Sequence, residues 1–130
     1  KKKIILNYSI YYLIYLKKKN QMANQYKFLG KELTTTAETS LITTASNETI
    51  IIKSIRVTNN TANTPTISFD VLDHSQSSAE FTIFKTQSLS ANTSTELLSV
   101  PLVLESQDQL KATVSSTDNV HIGISYLNIS

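Results

Sequence analysis

Four side chains in this sequence carry the chemistry that a site would need: His74 and His121, the only histidines, and Asp70 and Asp73 beside the first of them. An imidazole next to two carboxylates could hold a divalent ion through one nitrogen and two oxygens. The spacing argues against it. Alternation along T-I-S-F-D-V-L-D puts Asp70 on the wet face of a strand and Asp73 on the opposite parity, so the two carboxylates diverge. His74 then opens D-H-S-Q-S-S, where Asp and Ser close a turn with their own side chains. His121 shares a strand face with Gly123 and Ser125 and reads as a solvated or interface histidine.

Other constellations are equally thin. Paired carboxylates for hydrolysis would have to be assembled across strands, for example Asp70 with Glu80 or Glu96, and nothing singles out a pair. There is no glycine-rich phosphate loop, no H-E-x-x-H and no G-x-S-x-G, and without cysteine there is neither a thiolate metal site nor a disulfide framework. The expectation is a protein that is not an enzyme, with no cofactor and no metal. The sequons at Asn47, Asn59, Asn92 and Asn128 read as chance products of an Asn- and Thr-rich chain.

The elements that would position any site are strands. Ile67, Phe69 and Val71 alternate with Thr66, Ser68 and Asp70, and the same period recurs at Leu110, Ala112 and Val114 and at Val120, Ile122, Ile124 and Tyr126. Residues 80–85 offer Phe81 and Ile83, and Val100, Leu102 and Leu104 alternate with Pro101 and Val103. Residues 49–59 place Ile51, Ile55 and Val57 on one parity and Ile50 and Ile52 on the other, the pattern of a central strand covered on both sides near its start. With residues 26–33 and 38–43 this makes about eight strands. They are joined by clusters of Ser, Thr, Asn and Asp at 59–64, 73–78, 90–95, 105–108 and 115–119. The fold class is therefore all-β, an antiparallel β-sandwich with jelly-roll or immunoglobulin-like topology. The absence of Cys and Trp removes only the pins of antibody domains.

Charge divides the chain. It has 130 residues and a formal charge of +2, but six of its twelve basic residues fall within 1–19. From Met22 on, six basic groups face ten acidic ones, a balance of about −4. Lys53, Arg56, Lys85 and Lys111 are scattered, so no nucleic-acid partner is expected. The leader 1–21 has three readings. It could be a signal, although lysines 17–19 replace the cleavage box, or an interfacial anchor with Tyr8, Tyr11, Tyr12 and Tyr15 between lysine clamps. A spanning helix would need about 20 apolar residues, and the run at 4–16 is thirteen long. The third reading explains most. Nineteen of the twenty-one residues are Lys, Ile, Leu, Asn or Tyr, all encodable by A and T alone, and Met22-Ala23-Asn24 reads as a start. The leader is thus expected to be untranslated or disordered, and 22–130 to form a single sandwich domain.

The segments M-A-N-Q-Y-K-F-L-G at 22–30, S-I-R-V-T-N-N-T at 54–61, L-V-L-E-S-Q-D-Q-L-K-A at 102–112 and V-H-I-G-I-S-Y-L-N-I at 120–129 resemble small virion structural proteins of marine tailed bacteriophages. In such proteins a Leu-x-x-x-Asp-x-Leu turn, here Leu104, Asp108 and Leu110, precedes two final strands. Their closing strand often ends in an acidic residue where this chain has Asn128. The resemblance implies a subunit located in the virion. It would decorate or stabilise the capsid, or sit at the tail, and would partner the major capsid protein or tail proteins as a homo-oligomer, a trimer by preference. A tail-fibre or extracellular glycan-binding sandwich is the alternative, although no aromatic platform is visible. Tyr26 and Phe28 are candidate attachment anchors on an N-terminal arm at 23–30, unless they lie in the domain's own core, and His121 is a candidate interface residue.

Overall fold

The computed structural model describes residues 10–13, a helical turn with exposed side chains, and residues 24–130. The expectations for the rest of the leader and for Met22 fall outside the described residues. No described helix is long and apolar enough to cross a membrane.

Nine strands follow in chain order: β1 (Asn24–Glu32), β2 (Thr39–Thr43), β3 (Thr49–Asn59), β4 (Thr66–Asp73), β5 (Ala79–Ser88), β6 (Thr93–Glu96), β7 (Leu102–Leu104), β8 (Gln109–Val114) and β9 (Val120–Ile129). A short 3-10 turn, His74–Gln76, links β4 to β5. One antiparallel sheet runs β1-β9-β3-β6 with β7 also on β3, and the other runs β2-β8-β4-β5. β6 pairs with the end of β3 at Arg56–Asn59 and β7 with its start at Ile50–Ile52, so the two occupy one strand position broken around Pro101, which has no N–H for the ladder. Each sheet is then four positions wide, the first and last strands are neighbours, and successive strands mostly change sheet. That order is a jelly roll. It settles the alternative left open by periodicity, since immunoglobulin sheets keep their first two strands together.

The core lies between the sheets. Ile52, Ile55, Val57, Ile122 and Ile124 face Ile67, Phe69, Leu110 and Val114, all essentially without solvent contact, and Leu33, Leu89 and Leu104 close the ends. β3 departs from the expected double cover. Its register slips between Ile52 and Ser54, where Lys53 is the extra residue of a bulge, so Ile50 and Ile52 before it and Ile55 and Val57 after it all face the core. Only Ile51 remains on the outer face.

β5 also departs from simple alternation. Two register shifts against β4 bring Phe84 opposite Phe69 and Phe81 opposite Val71, so Phe81 and Phe84 share a face and Ile83 does not. Phe84 meets Phe69 edge-on, with centroids 6.1 Å apart and planes at 85°. Phe81 and Ile83 stay exposed on this edge strand. β6, T-S-T-E, falls where turn residues were expected, and Val100, expected inward, precedes β7 and is exposed.

Glu96 fastens β6 to β3. Its carboxylate accepts from the Ser54 hydroxyl and from the amides of Ile55 and Leu98. Burial alone would raise its pKa, but these hydrogen bonds, with the nearby Arg56 charge, outweigh it and hold the group below its ordinary 4.5. A depressed folded pKa stabilises the fold fully above the unfolded value and ceases to do so as pH falls through the folded one. Thermal midpoints measured from pH 6 down to pH 3 should therefore fall less steeply in Glu96→Gln than in the parent; equal slopes would show that Glu96 contributes nothing to acid sensitivity.

Candidate interaction surface

The structure separates the residues first considered for metal binding. Asp73 closes its own turn, accepting from the Ser75 backbone N–H at 3.0 Å, the Ser75 hydroxyl at 2.6 Å and the Gln76 side-chain Nε2 at 3.0 Å. The Ser75 hydroxyl is the main reason that its pKa is lowered. His74 gives its backbone N–H to Asp108 at 3.0 Å. Asp108 also accepts from the Glu105 amide at 2.9 Å, which gives the Leu-x-x-x-Asp-x-Leu turn its physical role: a buried carboxylate ties the loop before β8 to the end of β4.

Asp70 instead joins Glu38 and Glu80 on the outer face of the second sheet, with one oxygen from each within 4.8 Å of the others. An ammonium group already serves them. Lys111 Nζ is 2.8 Å from Glu80 and 3.3 Å from Glu38. The hydrogen bond to Glu80 is the largest cause holding Lys111 protonated above its ordinary range, while burial lifts Glu38. Of the carboxylate pairs considered, Asp70 and Glu80 come together around this lysine, whereas Glu96 lies in the other sheet.

The candidate attachment residues gather on one surface, the outer face of the β1-β9-β3 sheet. The expected arm at 23–30 is, over its described part, the start of β1, paired with β9 from Asn24↔Ile129 to Glu32↔His121. Backbone bonding along that whole length holds it in the sheet. Tyr26 and Phe28 are 79% and 71% exposed, so neither belongs to the domain's own core. Residues directly opposite in antiparallel strands share a face. The register therefore builds an apolar row across four strands, Tyr26, Leu127, Ile51 and Val103. The next rows are Phe28 with Ser125 and Ser54, then Gly30 with Gly123 and Arg56, then Glu32 with His121 and Thr58.

The glycine row was not anticipated. The chain has only two glycines, and they stand directly opposite each other in mid-strand, without positive φ. Their function is space. A Cβ on Gly123 would come within 3.1 and 3.3 Å of the Phe28 ring, and one on Gly30 within 3.4 Å, so the missing side chains let the ring lie down over the sheet. Beside it opens a trough of about 560 Å³ lined by Phe28, Glu32, Arg56, Thr58, His121 and their neighbours. His121 Nε2 is 3.9 Å from Glu32 at one end. Arg56 stands opposite Glu96 in β6, yet among the described residues no carboxylate lies within 4.0 Å of its guanidinium. Two glycines inside otherwise alternating strands were the sequence signal that could have pointed here.

No protein-family model matches the chain, and no curated protein matches it. Among solved structures the fold is similar to a chain of the T13 particle of infectious bursal disease virus, with a TM-score of 0.51 and 7% identity over 82% of this chain and 30% of that one. It is similar also to a chain of the Gx strain of the same virus, at 0.51 and 8% over 82% and 32%. This chain spans about a third of the length of those proteins. The likeness is one of fold, a β-sandwich shared with virus-particle chains.

Proposed function

We propose that the chain is a non-enzymatic structural subunit of a virion, of the bacteriophage kind that its sequence segments resemble, and that it decorates or stabilises the capsid. The supporting observation is the outer face of the β1-β9-β3 sheet, where Tyr26, Phe28 and Val103 leave large apolar side chains exposed on a jelly roll, joined across the face by half-buried Ile51 and buried Leu127. Such a face suits attachment to the major capsid protein or to tail proteins, and to further copies of the chain in a symmetric homo-oligomer such as a trimer. The edges are less suited to that role. β1 turns Lys27 and Lys31 toward the core side and β5 is twice bulged, two devices that discourage edge-to-edge pairing.

Quantitative peptide mass spectrometry of purified particles tests this. Tryptic peptides 57–85 and 86–111 are expected at a copy number comparable with that of the capsid protein; their absence from particles defeats the proposal. A second reading, a tail-fibre or surface module that binds glycans, is favoured by one observation, the Phe28 ring fixed beside a trough that carries Arg56, Glu32 and His121.

A further inference from the structure

We propose that the trough beside Phe28 binds an acidic sugar, a pyranose ring carrying a carboxylate. This deepens the glycan-binding reading and leaves the virion reading untouched.

Each part of the trough asks for a different part of such a ligand. The Phe28 ring is held on one side by the glycine pair and is 71% exposed, which leaves a flat apolar platform for the C–H face of a sugar ring. Arg56 supplies a charge that, among the described residues, no carboxylate meets within 4.0 Å, although its field reaches Glu96. The carboxylate that the register sets opposite it, Glu96, is occupied by the Ser54 hydroxyl and two backbone amides. A guanidinium so placed pairs with a planar carboxylate through two parallel hydrogen bonds. Glu32 lies at the far end with His121 and can only accept. It therefore favours a ligand rich in hydroxyl donors over a phosphate ester, which near neutral pH offers at most about one O–H and brings more negative charge toward Glu32. An acidic protein side chain would satisfy Arg56 but would bring neither the ring face nor the hydroxyls. The volume, about 560 Å³, falls within the range of small-ligand sites.

The test uses the full chain, labelled with ¹⁵N and titrated by NMR with methyl glucuronide and, separately, with its neutral counterpart methyl glucoside. The acidic sugar is expected to shift the amides of Gly30, Arg56, His121 and Gly123, with affinity at least about tenfold above that of the glucoside and falling as salt is added. Arg56→Ala should abolish that preference and Phe28→Ala should weaken both sugars. Both residues are exposed, so the variants are expected to stay folded, which their spectra would report directly. Equal binding of the two sugars would overturn the acidic-sugar proposal while sparing a glycan site. Shifts elsewhere, shifts from an acidic peptide such as triglutamate but not from the sugars, or no shifts at all would overturn both. None of these outcomes bears on the particle copy number, which tests the virion reading by itself.

Discussion

Replacing Phe69 by alanine is expected to remove about 3–5 kcal/mol of stability, which is a large part of the roughly 5–15 kcal/mol that holds a domain of this size together. Phe69 is fully buried at the middle of β4. It is the ring against which Phe84 stands edge-on, so the truncation leaves a cavity and also strips Phe84 of its packing partner. β4 lies between β8 and β5, and a collapse there loosens both neighbours. Urea denaturation followed by tyrosine fluorescence would measure the loss, with Phe28→Ala as the comparison. That second ring is mostly exposed, and its removal should cost less than about 1 kcal/mol. Equal losses in the two variants would mean that the core is not where the sandwich places it.

The second large effect is expected at Asn59. Its side-chain amide is fully buried, and its Nδ2 donates toward the carbonyl oxygens of Asn63 at 2.8 Å and of Leu89 and Ser90 at 3.2 Å. Its Oδ1 accepts from the Thr61 amide at 3.1 Å and the Thr61 hydroxyl at 2.7 Å. One amide thus joins the end of β3 to two loops, which are themselves linked by the Asn92 N–H bonded to the Thr61 carbonyl. Asn59→Asp exchanges a donor for an acceptor that must face three carbonyl oxygens without water. The expected cost is about 3–5 kcal/mol at neutral pH, as for other buried charges left without a partner. The pH dependence distinguishes this cause from simple loss of packing. The folded pKa of the new carboxyl would be raised, so the penalty is complete above that raised value. It should shrink as pH falls toward the unfolded value near about 3.9. Asn59→Ala should show no such recovery. Parallel pH profiles for the two variants would refute the account.

The same residue shows where sequence reading stops. β3 was legible because it carries a strong apolar run, and β4, β8 and β9 because alternation holds through residues 66–71, 109–114 and 120–126. Asn59 closes the apolar strand pattern at 49–59 and opens the polar cluster at 59–64, where an asparagine ordinarily faces water. What buries it is a set of backbone carbonyls some thirty residues away, and nothing local announces them. β6 was missed because T-S-T-E has no apolar side chain; its pairing is secured by backbone bonds and by Glu96 reaching Ser54. On β5 the bulges, one of which places Thr86 at φ 42°, reset the parity that alternation relies on. The surface was half legible. Tyr26, Phe28 and His121 could be named as outward candidates, but the Gly30–Gly123 pair that brings ring and trough together depends on β1 lying beside β9, a contact between opposite ends of the domain.

That pairing has a mechanical consequence. Asn24 stands opposite Ile129, so the opening of β1 and the close of β9 share one corner, while Glu32 and His121, at the far end of the same two strands, lie about 27 Å away at the usual rise for an antiparallel strand. A molecule gripped at the corner would behave as a short lever, with the trough at its free tip. Pull applied through both ends together would load the ladder between β1 and β9 one rung at a time from that corner, as a zipper is opened, rather than shear all its hydrogen bonds at once.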